Sequence, residues 1–358
     1  MGDWCRLASR HRFRVSPSKW GMALTVTQFA SFNSLAAAGQ SLLYGGKIKQ
    51  TEVEEGPIFI VGHWRSGTTL LHELMVLDPR FGFPTTYQCF VPHHCLLTEW
   101  CLAKMFWFIV PSQRPMDNMA AGWERPQEDE FALEALGAGS PYLRMAFPNE
   151  QEDYLDWLDF QNRTPEELAN WRAMLDRFVR TVTLACRKPI VLKSPTHTAR
   201  VGTLAEMFPR AKFIHIIRDP YSVYASTMRL WQSLTETQAL QSPRFEDLHE
   251  YVLSAYERMY AAYEAQKTQI PPERLVDIRY EELVANPLEQ LASVYERLDL
   301  GDFASARPAV EAHLAAQKSY RTNRHEPLEP EVMEEVTARW SPYFTRYGYE
   351  PASAAPAP

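Results

Sequence analysis

No uninterrupted apolar run in this chain reaches the ~20 residues that a bilayer-spanning helix needs, so no membrane span is expected. The longest candidate, "WGMALTVTQFASFNSLAAAG" from Trp20, is too polar, and it lacks the charged, apolar and cleavage regions of a signal peptide. The five cysteines (Cys5, Cys89, Cys95, Cys101 and Cys186) include no C-x-x-C pair, and an odd count in a long chain argues against a disulfide scaffold. Cys95 and Cys101 have His93 and His94 nearby, but the spacing matches no usual structural zinc site, and no metal is expected. Basic charge is in deficit. The net charge of −7 excludes a sequence-wide basic footprint for nucleic acid, so an anionic ligand must be met by local cations.

What is present is an ordinary globular balance, with 46% hydrophobic and 23% charged residues over 358 positions. Short apolar strands alternate with amphipathic helices, which predicts a single α/β domain with a P-loop-like parallel sheet covered by helices on both faces. Strands are expected at Pro57–Gly62, Pro189–Lys193, Lys212–Ile217 and Arg274–Tyr280, with a weak edge strand at Phe81–Thr86 that Pro84 demotes. Thr164, Pro165 and Glu167 read as a capped helix start, with Leu168, Trp171, Leu175, Phe178 and Val182 on one core-facing side. Another helix should open at Asn286 and Pro287, with Leu288, Leu291, Val294 and Leu298 facing inward. Residues 1–56 form an N-terminal helical arm, 57–348 the main domain and 349–358 a disordered tail. The aromatic stretches "KMFWFIV" and "DYLDWLDF" either line an apolar pocket or pack in the core, and burial is the expectation for both.

Three stretches carry chemistry. In "GHWRSGTT", Gly62 and Gly67 have P-loop spacing, but Thr68 stands where a nucleotide-binding loop has its lysine. A helix opening near Thr69 would aim free N–H groups and a positive dipole end at the loop. Ser66, Thr68 and Thr69 add hydroxyls, and Arg65 a forked cation suited to an oxyanion. In "FIHIIRDPYSVYAS" a strand delivers Arg218 at its C-terminal edge, where ligands bind in open α/β sheets, and Ser226 follows on the next helix. In "PIVLKSPTHTARV" Lys193 ends a strand, and His197 lies just beyond it.

These motifs, in this order and with "RYEELVANPLEQLASVYERL" near the C-terminal end, resemble the sulfotransferases that use 3′-phosphoadenosine 5′-phosphosulfate (PAPS). The resemblance spans about residues 57–348 and is closer to the tyrosylprotein branch than to the cytosolic phenol and steroid enzymes. It implies that Arg65, Ser66, Gly67, Thr68 and Thr69 hold the 5′-phosphosulfate, which has no γ-phosphate for a lysine to reach. Arg218 and Ser226 match the pair for the 3′-phosphate, Tyr280 an aromatic near the adenine, and Lys193 a cation for the transferring group. "KSYRTNR", Lys318 to Arg324, sits where the family often adds further contacts.

The reaction so implied is sulfuryl transfer from PAPS to a hydroxyl or amine, leaving adenosine 3′,5′-bisphosphate. The acceptor is a small molecule, lipid, glycan or peptide that the sequence does not name. No nucleic acid or metal is expected, and the oligomeric state is not legible. The setting is cytoplasmic, with contact at a membrane surface left open. The rival readings are an ATP-dependent P-loop kinase and a non-catalytic nucleotide-binding protein of the same fold. The departure from pattern lies at the base: the glutamate that the tyrosylprotein enzymes place after the loop has no counterpart in "GFPTTYQCF". His197 is favoured here, because it is close to Lys193 and its ordinary pKa leaves much of it neutral at pH 7. Glu128, Asp129 and Glu130 in "QEDEF" are the alternative, although acids at a helix start also favour the dipole.

Overall fold

The computed structural model describes residues 1–108, 121–150, 152–316 and 328–351. In chain order, helices α1 (Gly2–Arg10) and α2 (Trp20–Gln50) precede strand β1 (Ile58–Val61) and α3 (Thr68–Met75). Next come α4 (Thr86–Phe90), α5 (Cys95–Met105), α6 (Asp129–Ala135), α7 (Asp156–Asp159) and α8 (Pro165–Cys186). Strand β2 (Val191–Lys193), α9 (Val201–Met207), β3 (Lys212–Ile217), α10 (Pro220–Gln238), α11 (Leu248–Gln266) and β4 (Leu275–Arg279) complete the sheet region. The remainder is α12 (Tyr280–Ala285), α13 (Pro287–Arg297), α14 (Arg307–Ala316), α15 (Pro330–Arg339) and α16 (Ser341–Tyr347).

The strands pair in parallel in the order β2-β1-β3-β4. Because side chains alternate across a strand, the apolar runs feed two separate cores. Phe59, Val61, Leu192, Phe213 and Ile217 point to one, packed by α8 to α11, α15 and α16. Ile58, Ile60, Val191, Ile214 and Ile216 point to the other, covered by α3, α13 and α14. Every residue of β1 is buried, each such side chain contributing roughly 1.5–3 kcal/mol. Both faces of the sheet are therefore covered, which is why the strands read as continuous apolar runs.

Local signals fall where the residues direct them. At the start of α8 the Thr164 hydroxyl accepts from the Glu167 N–H while the Glu167 carboxylate accepts from the Thr164 N–H. The segment after α3 is not a strand: Gly82 makes one isolated parallel bridge to Ile190, and Thr85 caps α4. Pro84 has no N–H to continue a ladder. Of the two aromatic stretches, Tyr154, Leu155, Trp157 and Leu158 are buried. "MFWFIV" departs from the expected burial. Met105, Trp107 and Phe108 are exposed, where the chain leaves α5 into a turn; its last two residues lie outside the described residues. So does "KSYRTNR". Tyr349, grouped with the tail from sequence, donates its hydroxyl to Glu281 and stacks under Arg279; the tail from 352 onward is outside the described residues.

Candidate active site

The strand order puts β1 between β2 and β3, so the turn after β1 is flanked by whatever those neighbours deliver at their C-terminal ends. β2 delivers Lys193 and β3 delivers Arg218. The turn itself is tight. Gly62 and Gly67 have φ of 148° and 105°, and Arg65 has φ of 67°. A Cβ on Gly67 would lie 2.3 Å from the Tyr280 ring, and one on Gly62 would lie 2.5 Å from the Ile216 carbonyl oxygen. Glycine is required at both for space as well as conformation. The Gly62 N–H is anchored on the Thr198 hydroxyl at 2.7 Å. The Ser66 hydroxyl is buried and has no hydrogen-bond partner among the described residues, an orphan donor inside the turn.

Around this turn the residues singled out from sequence converge. Arg65 Nε donates to Ser226 Oγ at 2.8 Å, and an Arg218 guanidinium N–H donates to the Arg65 carbonyl at 2.9 Å. The Arg218 guanidinium also lies 4.2 Å from the centre of the Tyr280 ring. Two arginines, a serine and an aromatic ring thus meet beside the N-terminus of α3, where the helix dipole adds positive potential. The donors suit phosphate and sulfate oxygens, and the planar cation over the ring makes a flat platform.

The second cluster is a ladder between two short segments. Glu128, the residue before α6, meets Lys193 with Oε1 2.6 Å from Nζ. Asp129 meets His197 at 2.6 Å, and Glu130 meets Arg200 at 2.7 Å. Three consecutive acids therefore face three bases spaced along the turn Pro195–Arg200 and the strand end before it. The rungs differ in access. Asp129, His197, Glu130 and Arg200 are fully buried, and the His197 ring is wedged edge-on between Phe59 and Trp171. Arg200 is stacked between Phe160 and Trp171 and bonded to the Trp157 carbonyl. Burial tends to raise the Glu130 carboxyl, but Arg200 overrides it and holds it below its ordinary value. Glu128 keeps 8% of its surface open. The structure thus brings Glu128 and Lys193 together and sets His197 and Glu130 behind them.

Two residues that the sequence did not single out complete the cluster. Tyr142 donates its hydroxyl to Glu128 Oε2 at 2.6 Å and accepts at 2.8 Å from the indole N–H of Trp64, itself in the turn after β1. Burial, reinforced by the Glu128 charge, pushes the Tyr142 hydroxyl far above its usual range, so it remains a donor. Neither residue had a local signal, since the link runs through tertiary packing. From Tyr142 an aromatic wall leads outward: Phe131 stacks on it at 5.1 Å, and Phe90 lies 5.3 Å beyond and is exposed.

Residues 57–304 match the model of the sulfotransferase family. The chain belongs to that family. This sulfotransferase is 43% identical over 354 residues to the omega-hydroxy-beta-dihydromenaquinone-9 sulfotransferases of Mycobacterium bovis and Mycobacterium tuberculosis, covering 99% of its own length and 91% of theirs. Its fold is similar to that of a sulfotransferase from Mycobacterium avium, with a TM-score of 0.73 at 19% identity. That match covers 95% of this chain and 88% of the other. A sulfotransferase of Mycobacterium tuberculosis gives a TM-score of 0.67 at 21% identity, covering 95% of this chain and 90% of that one. The enzyme is a transferase of sulfuryl groups with PAPS as co-substrate, and the kinase reading is not favoured.

Proposed function

We propose that the enzyme sulfates a hydroxyl on an apolar, lipid-like acceptor, with Glu128 as general base. The observation that carries this is the aromatic wall Phe90–Phe131–Tyr142, which runs from the surface to the one acid of the ladder that has open surface. The omega-hydroxy-beta-dihydromenaquinone-9 acceptor of its 43% identical relatives is of the same chemical class. Free cysteines throughout suit a cytoplasmic setting.

In this reading the turn after β1 holds the 5′-phosphosulfate. Arg65 and the hydroxyls of Ser66, Thr68 and Thr69 are its donors, and Gly67 lets the backbone approach. Arg218 and Ser226 take the 3′-phosphate, and Tyr280 packs near the adenine. Glu128 accepts the acceptor's hydroxyl proton as its oxygen bonds to sulfur. The bond from sulfur to the 5′-phosphate oxygen breaks, and adenosine 3′,5′-bisphosphate leaves. Lys193 covers the charge on the sulfuryl oxygens and the departing phosphate. Tyr142, fixed by Trp64, aims the carboxylate. His197 and Glu130 support the ladder from behind. Fixed cations do this work, so no metal is required.

The test is an acceptor panel with sulfur-labelled PAPS. Long prenyl alcohols and hydroxylated isoprenoid quinones should be labelled well above phenols, sugars and tyrosine peptides. Labelling confined to peptides or glycans overturns the lipid assignment.

A further inference from the structure

Helix α2 is inside out. A surface helix normally buries its apolar stripe and shows its polar one. Here Gln40 is fully buried, with its amide on the Pro92 carbonyl and the Leu96 N–H, and Asn33 is bonded to His94. Trp20, Leu24, Leu35 and Leu42 instead point outward at 65%, 60%, 77% and 85% exposure. Their spacings of four, eleven and seven residues are close to whole turns, so they form one stripe along the helix. Between Lys19 and Lys47 no residue of α2 carries a charge. Helix α1 packs along one side, through Trp4 to Thr27, and leaves the stripe open.

The neighbouring element repeats the pattern. Leu97 of α5 packs beside Gly39 of α2. Trp100, Trp107 and Phe108, on α5 and the turn after it, are 73%, 73% and 66% exposed. Charge marks the same region. Residues 1–50 hold seven Lys or Arg and a single acid, Asp3, in a chain whose net charge is −7; Arg6, Arg10 and Arg14 are paired with Asp3, Glu152 and Glu150. Phe90, the outer end of the aromatic wall, is two residues before Pro92, which holds Gln40.

We propose that the stripe of α2, with the exposed aromatics of α5, is the surface by which the enzyme lies on an anionic lipid bilayer. No helix among the described residues is long and apolar enough to cross a membrane, so the contact is in-plane. Apolar side chains enter the headgroup boundary, and the basic arm is drawn to anionic lipid. A second copy of the chain is the other way to cover such a stripe. Lys19 before the helix and Lys47 and Lys49 in its last turn put cations at both ends of the stripe, which favours a negatively charged partner, whereas two copies would bring like charges together. The proposal goes beyond the lipid-like acceptor, which would then reach Phe90 from the bilayer side.

The experiment is co-sedimentation of the full chain with vesicles of phosphatidylglycerol and phosphatidylcholine, and with phosphatidylcholine alone. Binding should be roughly tenfold or more stronger to the anionic vesicles and should weaken with salt. Trp20→Ser, Leu24→Ser, Leu35→Ser and Leu42→Ser together should abolish it. The thermal shift with adenosine 3′,5′-bisphosphate and the turnover of a short, water-soluble prenyl alcohol should persist, which shows that the variant is folded. The proposal is overturned if the intact chain binds neither vesicle, or if the fourfold variant binds as well as the parent. It is also overturned if the parent is a dimer that these changes dissociate while vesicle binding is absent. Failure of the acceptor panel with vesicle binding intact would remove the lipid acceptor and leave the surface standing.

Discussion

Glu128 and Lys193, 65 residues apart in sequence, meet with Oε1 2.6 Å from Nζ at the end of β2. This pair is linked to the turn after β1 through Tyr142 and Trp64. Glu128→Gln is expected to lower kcat by about 10²–10⁴, the usual range for a general base. Binding of adenosine 3′,5′-bisphosphate, measured by calorimetry, should be unchanged. A Glu128→Gln enzyme of near-parental turnover would return the role to His197.

The inner rungs have a different signature. Removing one partner of a buried ion pair leaves the other charge uncompensated and costs roughly 3–5 kcal/mol. Glu130→Gln strands Arg200, which is fully buried. Urea unfolding should show a loss of that order, and turnover per folded molecule should stay within a few fold of the parent. A stable but inactive Glu130→Gln would contradict a supporting role.

Arg218→Ala removes the cation that meets the Arg65 carbonyl and the Tyr280 ring. Charge-assisted hydrogen bonds contribute about 1.5–3 kcal/mol, so the dissociation constant for adenosine 3′,5′-bisphosphate should rise ten- to a hundredfold. The kcat at saturating PAPS should move much less. Normal affinity in this variant would displace the 3′-phosphate from Arg218.

Donor choice and metal independence share one assay. Adenosine 3′,5′-bisphosphate at a hundredfold excess over its dissociation constant stabilises the fold by about 2.7 kcal/mol. ATP, which lacks a 3′-phosphate, should give far less protection, with or without magnesium. Turnover should survive EDTA. Loss of activity with chelator and its return with magnesium would refute catalysis by Arg65 and Lys193 alone.

Stability should depend on pH in a definite way. Burial lowers His63 and His72 to about 3, with the Lys193 charge adding to the effect at His72. Unfolded, both titrate near 6.5, so below that pH the unfolded chain binds two protons that the folded chain does not. Glu134 acts the other way. Burial, with the Glu130 charge, raises it to about 7, so above 4.5 the folded chain keeps a proton the unfolded chain has lost. For these three groups, stability therefore falls on acidification from 6.5 to 4.5 with a net slope of one proton, about 1.4 kcal/mol per pH unit. Below 4.5 the slope rises to two protons. Glu134→Gln should steepen the upper window to the same two-proton slope, and an unchanged slope in urea melts at pH 5 to 6.5 would refute the assignment.

How far the sequence reached depended on how local each cause is. The four parallel strands were legible because a strand buried on both faces must be apolar throughout. The capping of α8 was legible because Thr164 and Glu167 are three residues apart. Arg65, Gly67 and Arg218 could be picked out because each sits at the edge of a recognisable strand, while Ser226, inside α10, and Tyr280 were tied to them by the resemblance to the sulfotransferases. The ladder could not be read. Which acid meets which base depends on how α6 lies against the turn after β2, and no periodicity in "QEDEF" or "KSPTHTAR" encodes that register. Lys193 and His197 are close in sequence, yet they meet different acids. The exposed faces of α2 and α5 were missed for the opposite reason. Apolar residues read as core by default, and only the packing shows Gln40 inside and Leu42 outside.

The ladder also bears on how such an enzyme changes its acceptor over generations. Two sealed rungs stand behind the third, so the Glu128 carboxylate at the rim is backed by side chains with no open surface. The wall proposed to meet the acceptor, Phe131 and Phe90, comes from α6 and α4 and lies in front. Replacing Phe90, one ring removed from Tyr142, should alter what fits while leaving Tyr142 and Lys193, the partners of the proposed base Glu128, in place. Acceptor preference can therefore drift while the reaction itself stays intact.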